Sequence, residues 1–340
     1  MSQIMMSIDS GGSKTICLLQ TTEGELLGWG LGGPTHHLSS ENASHSFIHA
    51  IKMAMEGGGV SGSHISLVSY SQLGQFEALQ SALEQSQVGA DSIYLDDPTV
   101  ALVGALCSEW GVVALSGTGS FVYARNREGQ TMLVGGLGDL LGDDGSGYEI
   151  GLSGLRAALR YVEGWEEETM LADAICKEWG ISEFHKNAPF MNPVSRTIAD
   201  NTFQYMPDSY RHRIANLSRI VAKCAREGDS ISLAIIQQAG KKLGCQVAAI
   251  CDQMDMGREP IPIGYAGGCW RIGDILIEPF QATLKLKMKK SFHLTPQALE
   301  PAFGVFLGTL RHMGVSWDGE LISRLKRDND FVKKAITNAS

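Results

Sequence analysis

Short apolar runs separated by turn dipeptides open the chain. Gln3 to Ile8, Thr15 to Gln20 and Glu25 to Gly30 are strand-length and rich in apolar and β-branched residues, and Gly11-Gly12 and Glu23-Gly24 lie between them. This pattern predicts a three-stranded meander. Helical periodicity follows near Glu41 to Met55, then a strand at Ile65 to Tyr70, a helix from Gln75 to Gln85, a short strand Ser92 to Leu95 and a helix that starts near Pro98. At Gly111 the layout restarts. Val112 to Leu115, Phe121 to Arg125 and Thr131 to Val134 repeat strand, glycine turn, strand, turn, strand, which predicts two domains of related topology. A largely helical stretch spans Tyr148 to Met254, and an apolar strand, Ile261 to Ala266, precedes Gly267-Gly268 and a further helix. The expected division is 1–110, 111–318 with a helical insertion, and a polar tail 319–340 that frays.

Length adds to this picture. A chain of 340 residues exceeds what one core organises, and a cleft between two domains is the default place for a ligand. Hydrophobic residues make up 44% and charged residues 19%, an ordinary globular balance, so neither disorder nor a fibrous repeat is expected. The formal charge of -9 argues against general nucleic-acid binding. Without a basic leader, a cleavage site or an apolar run approaching roughly eighteen residues, the expectation is a cytoplasmic protein with no membrane partner. The seven cysteines are scattered, none in C-x-x-C spacing, and are expected to be reduced core residues.

Four segments carry candidate chemistry. In Ile8-Asp9-Ser10-Gly11-Gly12-Ser13-Lys14-Thr15, amides around two glycines can be aimed at a phosphate, and Asp9 at the strand end can hold Mg²⁺ through water. An ordinary hairpin accounts for the same residues taken alone. Leu115-Ser116-Gly117-Thr118-Gly119-Ser120 sits at the equivalent place in the second half, and that matched position favours a pair of phosphate loops. The third segment, Gly135 to Tyr148, is dense in glycine and aspartate and leads into a helix. It contains a near-match to G-x-G-x-x-G but lacks the acidic residue about twenty positions on, so a Rossmann site is discounted. Gly264-Tyr265-Ala266-Gly267-Gly268 ends a strand where a base or ribose can lie against bare backbone; close helix–strand packing is the rival explanation. No G-x-x-x-x-G-K-[ST] occurs, which excludes a P-loop. His45 and His49 stand four apart on a helix without an acidic third ligand and are expected on a solvated face.

The order of these motifs resembles the N-acetylglucosamine kinase and BadF/BadG/BcrA/BcrD ATPase group of the sugar kinase, Hsp70 and actin superfamily, over residues 4 to 312. The resemblance implies an α/β, two-domain actin-like ATPase fold of the ribonuclease H-like kind with a cleft between the domains. It implies ATP and Mg²⁺ as cofactors, an amino sugar as substrate, and a homodimer. Gly11, Gly12, Ser13, Lys14 and Thr15 would form the first phosphate loop, Gly117, Thr118, Gly119 and Ser120 the second, and Gly267 and Gly268 would contact adenosine. The catalytic base would be Asp97, with Asp96 as competitor; a carboxylate there can accept the sugar hydroxyl proton, although it can equally cap the following helix. Thr35, His36, Gly136 and Asp143 would line the sugar. Thr35 stands where the family has asparagine and His37 where tryptophan occurs, and a smaller residue 35 would admit a bulkier 3-substituted sugar such as N-acetylmuramic acid. Ser69 to Gln72 also lacks the glycine-rich pattern common at that strand end. Two further classes share these loops: the ATPase activator of a radical dehydratase, and a non-catalytic sugar sensor.

Overall fold

The computed structural model describes residues 3–12, 14–35, 38–71, 73–180 and 210–339. Ser13, His36, His37 and Gln72 therefore lie outside the described residues. The first half runs β1 (Ile4–Ser10), β2 (Thr15–Thr21), β3 (Leu26–Gly32), α1 (Ser40–Gly58), β4 (Ile65–Tyr70), α2 (Phe76–Gln85), β5 (Asp91–Tyr94) and α3 (Asp97–Leu106). Next come β6 (Gly111–Ser116), β7 (Ser120–Arg125), β8 (Thr131–Gly135), α4 (Gly138–Leu141), α5 (Gly147–Glu163), α6 (Leu171–Glu178), α7 (Tyr210–Arg226) and α8 (Ser230–Gln253). The chain closes with β9 (Ile261–Ala266), α9 (Asp274–Lys287), β10 (Phe292–Pro296), α10 (Pro301–His312) and α11 (Gly319–Ala339).

Two compact units result, 1–113 with 294–340, and 114–293. Each holds most of one five-stranded sheet, ordered β3-β2-β1-β4-β5 and β8-β7-β6-β9-β10. The order is the same in both, so the repeated strand pattern of the sequence corresponds to a repeated topology.

In the first unit β1 is antiparallel to β2 and parallel to β4, which is parallel to β5. The central strands are buried on both faces, and alternate residues face opposite layers. Met6, Ile8, Cys17 and Leu19 pack with Phe47, Ile51 and Leu79 of α1 and α2. Met5, Ile16 and Leu18 pack with Val103, Phe303, Phe306, Leu307 and Leu310 of α3 and α10. Each fully buried side chain of this size contributes about 1.5–3 kcal/mol.

Glycine sets how closely the layers approach. A Cβ at Gly28, Gly30 or Gly32 would lie 2.2, 1.9 or 2.1 Å from the carbonyl oxygens of Ala54, Ala50 and Ser46. The period-two stripe on β3 thus matches a four-residue spacing on α1 and lets the helix rest on the strand backbone.

Residues 319–340, expected as a fraying tail, include the helix α11. Leu325 and Val332 are fully buried in the cluster that contains Ile16 and Phe303, with Leu321, Ile322 and Ile336 against it. The apolar residues recur at helical spacing between charged ones, so one stripe is covered while the other face meets water. Residues 294–318, expected with the second domain, likewise belong to the first unit because α10 covers β1 and β2.

Candidate active site

Parallel β1, β4 and β5 end in register, with Ile8 opposite Tyr70 and Tyr70 opposite Tyr94. Their carboxyl ends therefore bring Asp9, Ser71 and the Asp96-Asp97 pair to one edge of the sheet. Ser71 Oγ donates to Asp9 Oδ1 at 3.0 Å and also hydrogen-bonds Asp97. Burial raises the Asp9 carboxyl to about 7, helped by the charges of Asp97 and Glu300 and opposed by Ser71 and Lys14. Asp97 is raised to about 6, first by desolvation and then by the Asp96 charge, although its side chain still opens to solvent.

The two neighbouring aspartates have different work. Asp96 is the N-cap of α3, its Oδ1 accepting from the Thr99 N–H at 2.9 Å. Asp97 follows at the first helical position, and its carboxylate is directed to Ser71 rather than to the cap. Pro98 then needs no amide partner in the first turn.

The first loop connects β1 to β2 after the Ser10–Thr15 pair. Gly11 N–H donates to Lys14 O at 3.1 Å, Thr35 N–H donates to Gly11 O at 3.0 Å, and Thr15 Oγ1 donates to Gly33 O at 2.9 Å. Gly11 does not occupy the left-handed region, and a Cβ built on it would meet nothing within 4 Å. Its contribution is an open approach to the backbone rather than an unusual turn. Lys14 Nζ is paired with Glu300 Oε2 at 2.9 Å. Thr35, expected at the sugar, is fully buried, with Oγ1 unpartnered among the described residues. Its visible work is to tie the end of β3 to the first loop.

In the second unit three of the predicted segments form one structure. Gly117 O accepts from the Gly147 N–H at 2.8 Å and from Cys269 Sγ at 3.3 Å, and Thr118 O accepts from the Tyr148 N–H at 3.1 Å. Ser116 Oγ donates to Gly145 O at 2.7 Å, and Ser120 Oγ to Asp144 O at 2.8 Å. Gly136 N–H donates to Ser120 O at 3.0 Å. Gly267 has φ +104°, and a Cβ there would sit 2.4 Å from Ser116 O, so the A-G-G turn lies directly under the second loop. Gly117 and Gly268 again face open space.

Asp143, expected at the sugar, takes left-handed backbone at φ +58° and is 3% exposed. One carboxylate oxygen accepts from the Ser120 N–H at 3.2 Å, and the other is paired with Arg211 of α7. In this arrangement it holds the second loop. Arg211 and Glu300 were absent from the sequence reading, and Ser71 entered it only within the Ser69 to Gln72 strand end, with no role of its own. Ser71 had a usable signal, its place at the carboxyl end of a parallel strand. Glu300 before Pro301 marked only a helix start, and Arg211 had no local signal.

The donor set suits hydrated Mg²⁺. A single carboxylate, Asp9, beside a loop of amides leaves most ligands to water and phosphate, as this ion prefers. No group of three His, Cys, Asp or Glu side chains poised for a metal occurs among the described residues. Gly11 in the first unit, and Gly117 and Gly268 in the second, each leave the backbone open, since a Cβ built there would meet nothing within 4 Å.

A curated N-acetylmuramic acid/N-acetylglucosamine kinase of Clostridium acetobutylicum is 28% identical over 294 residues, covering 84% of this chain and 92% of the relative. The glucosamine kinase GspK of Vibrio cholerae is 26% identical over 240 residues, covering 68% and 75%. A Chromobacterium violaceum crystal structure named for N-acetylglucosamine kinase superposes with TM-score 0.68 at 19% identity, covering 90% of this chain and 99% of that one. A ROK family glucokinase of Streptomyces griseus, solved with glucose and AMPPNP, follows at TM-score 0.54 and 15% identity, covering 90% and 98%. These two likenesses are ones of fold, the two-domain α/β actin-like fold. The sequence pattern of the BadF/BadG/BcrA/BcrD ATPases matches residues 7–300, and the chain belongs to that family.

Proposed function

We propose that the chain is an ATP-dependent kinase that phosphorylates the 6-hydroxyl of an amino sugar, N-acetylglucosamine first, with N-acetylmuramic acid and glucosamine as the nearest alternatives. The single observation that carries this reading is Asp97. It is a carboxylate at the end of a parallel strand, released from capping by Asp96 and bridged through Ser71 to Asp9. Asp97 would accept the proton of the attacking hydroxyl and orient it in line. Gly11, Gly12, Lys14 and Thr15 would receive phosphate oxygens, as would Gly117 to Ser120. Gly267 and Gly268 would lie against adenosine. Asp9 would hold Mg²⁺ through water, and the ion would neutralise charge developing on the transferred phosphoryl group. Asp143 and Gly136 would serve the sugar by shaping the second loop, and Thr35 by closing the loop after β3, with His36 proposed at the sugar from the family resemblance alone.

Relatives named as kinases for three related amino sugars support the substrate class. The dehydratase-activator reading asks for exposed cysteines to bridge an iron–sulfur cluster, yet five of the seven are buried, Cys107 is half-buried and Cys245 alone is exposed. The sensor reading asks for a missing carboxylate, and Asp97 is present. The deciding measurement is coupled ADP release over N-acetylglucosamine, glucosamine, N-acetylmuramic acid, N-acetylmannosamine and glucose. Stimulation by an amino sugar, lost in Asp97→Asn, is expected; no stimulation by any of the five overturns the kinase reading.

A further inference from the structure

Lys14 does not stand alone in its loop. Its ammonium is held by Glu300 at 2.9 Å, and Glu300 is in turn held from α11. The Glu300 N–H donates to Asn329 Oδ1 at 2.6 Å, and Lys333 Nζ approaches Glu300 Oε1 at 3.7 Å. Asn329 is 1% exposed and Glu300 8%, so this relay is built into the packed interior of the first unit. A carboxylate this deeply placed is costly unless paired, and here a lysine pairs with each oxygen. Leu325 and Val332, flanking Asn329 on the same helix, pack with Ile16 and Leu18 of the strand that begins just after Lys14. The apolar contacts and the polar relay therefore fix α11 to β2 together.

An ammonium carries three donors. Among the described residues Glu300 engages one, which leaves two on a side chain that retains 30% of its exposure, in a loop where the Lys14 carbonyl accepts from the Gly11 N–H. We propose that Glu300, anchored by Asn329 and Lys333 of α11, is a positioning residue that presents Lys14 to the phosphates of the nucleotide. The inference rests on the phosphate-binding role proposed for the first loop. It gives α11 a part in nucleotide affinity besides covering the core.

The test is the affinity for MgATP, measured by calorimetry without any sugar on the full chain, for the unaltered protein, Lys14→Met, Glu300→Gln and the double variant. Glu300→Gln is expected to weaken binding roughly tenfold, the scale of one charge-assisted hydrogen bond. The double variant should bind no more weakly than Lys14→Met alone, because residues that act through one another do not add. Losses that multiply, or a Glu300→Gln protein that binds MgATP as the unaltered chain does, overturn the proposal. Should Glu300→Gln fail to fold, the more exposed Lys333→Met carries the same comparison: a smaller loss in the unaltered background and none in Lys14→Met. Since no sugar is present, absence of amino-sugar turnover leaves this test intact, whereas a chain that binds no MgATP overturns both readings.

Discussion

Asp96 and Asp97 differ by one position and by their hydrogen bonds, and substitution separates their roles. Asp97→Asn should lower kcat by about 10²- to 10⁴-fold with little change in melting temperature, as loss of a general base does. Asp96→Ala should cost about 1 kcal/mol of stability through the lost cap and leave most activity, since Thr99 N–H loses its acceptor. The reverse pattern in paired kinetic and melting measurements would transfer the base to Asp96. With the Asp97 carboxyl raised to about 6, kcat/KM should fall on the acid side near that pH, because the base acts ionised. Asp9 gives a stability test with a definite sign. Its folded value of about 7 lies above the ordinary 3.8, so its contribution is fully present below 3.8 and is lost as pH rises through 7. Without divalent cation, melting of the unaltered protein should therefore drop between pH 5 and pH 8 by more than that of Asp9→Asn. Equal drops would mean that Asp9 is not the group responsible.

Among elements, β3 and α1 form the closest joint. Gly30→Ala would place a methyl group 1.9 Å from Ala50 O, where both neighbours are backbone and neither can rotate away. Denaturant unfolding should show a loss of at least about 3 kcal/mol, at the upper end for overpacking. Gly267→Ala should act on the other unit. Its positive φ and the 2.4 Å approach to Ser116 O mean that an added methyl displaces the second loop, and MgADP titration should show weakened binding even where the variant stays folded. Much of this was legible beforehand. The strands followed from short apolar runs and turn dipeptides, and the family resemblance singled out Asp97 between a short strand and a proline. The glycine stripe was passed over because Gly28, Gly30 and Gly32 weaken a strand by propensity, and what they gain comes from a helix distant in sequence. The helix α11 was hidden by its charges, although Leu321, Leu325, Val332 and Ile336 do recur at helical spacing. Asp143 was recognised as important, but its partner Arg211 lies 68 residues away, beyond any local pattern.

At the scale of the whole molecule, two sheets of one strand order make a repeated architecture, and the repeat is where sequence reasoning reached furthest. It fell short at the return of residues 294–340 to the first unit, because that return is set by which apolar faces remain uncovered rather than by a boundary in composition. Removing residues 319–340 should accordingly behave as a core deletion: exposure of Ile16, Leu18 and Phe303 predicts lower soluble yield and a lower melting temperature, whereas removal of a true tail changes neither. The same return bears on synthesis. As the chain leaves the ribosome, β1 and β2 appear first, but the residues that cover one of their faces, Phe303, Phe306, Leu325 and Val332, appear last. The second unit is complete and free to fold while the first still lacks half of its cover. A chain truncated after residue 293 and released should therefore protect the later-made unit from protease better than the earlier-made one.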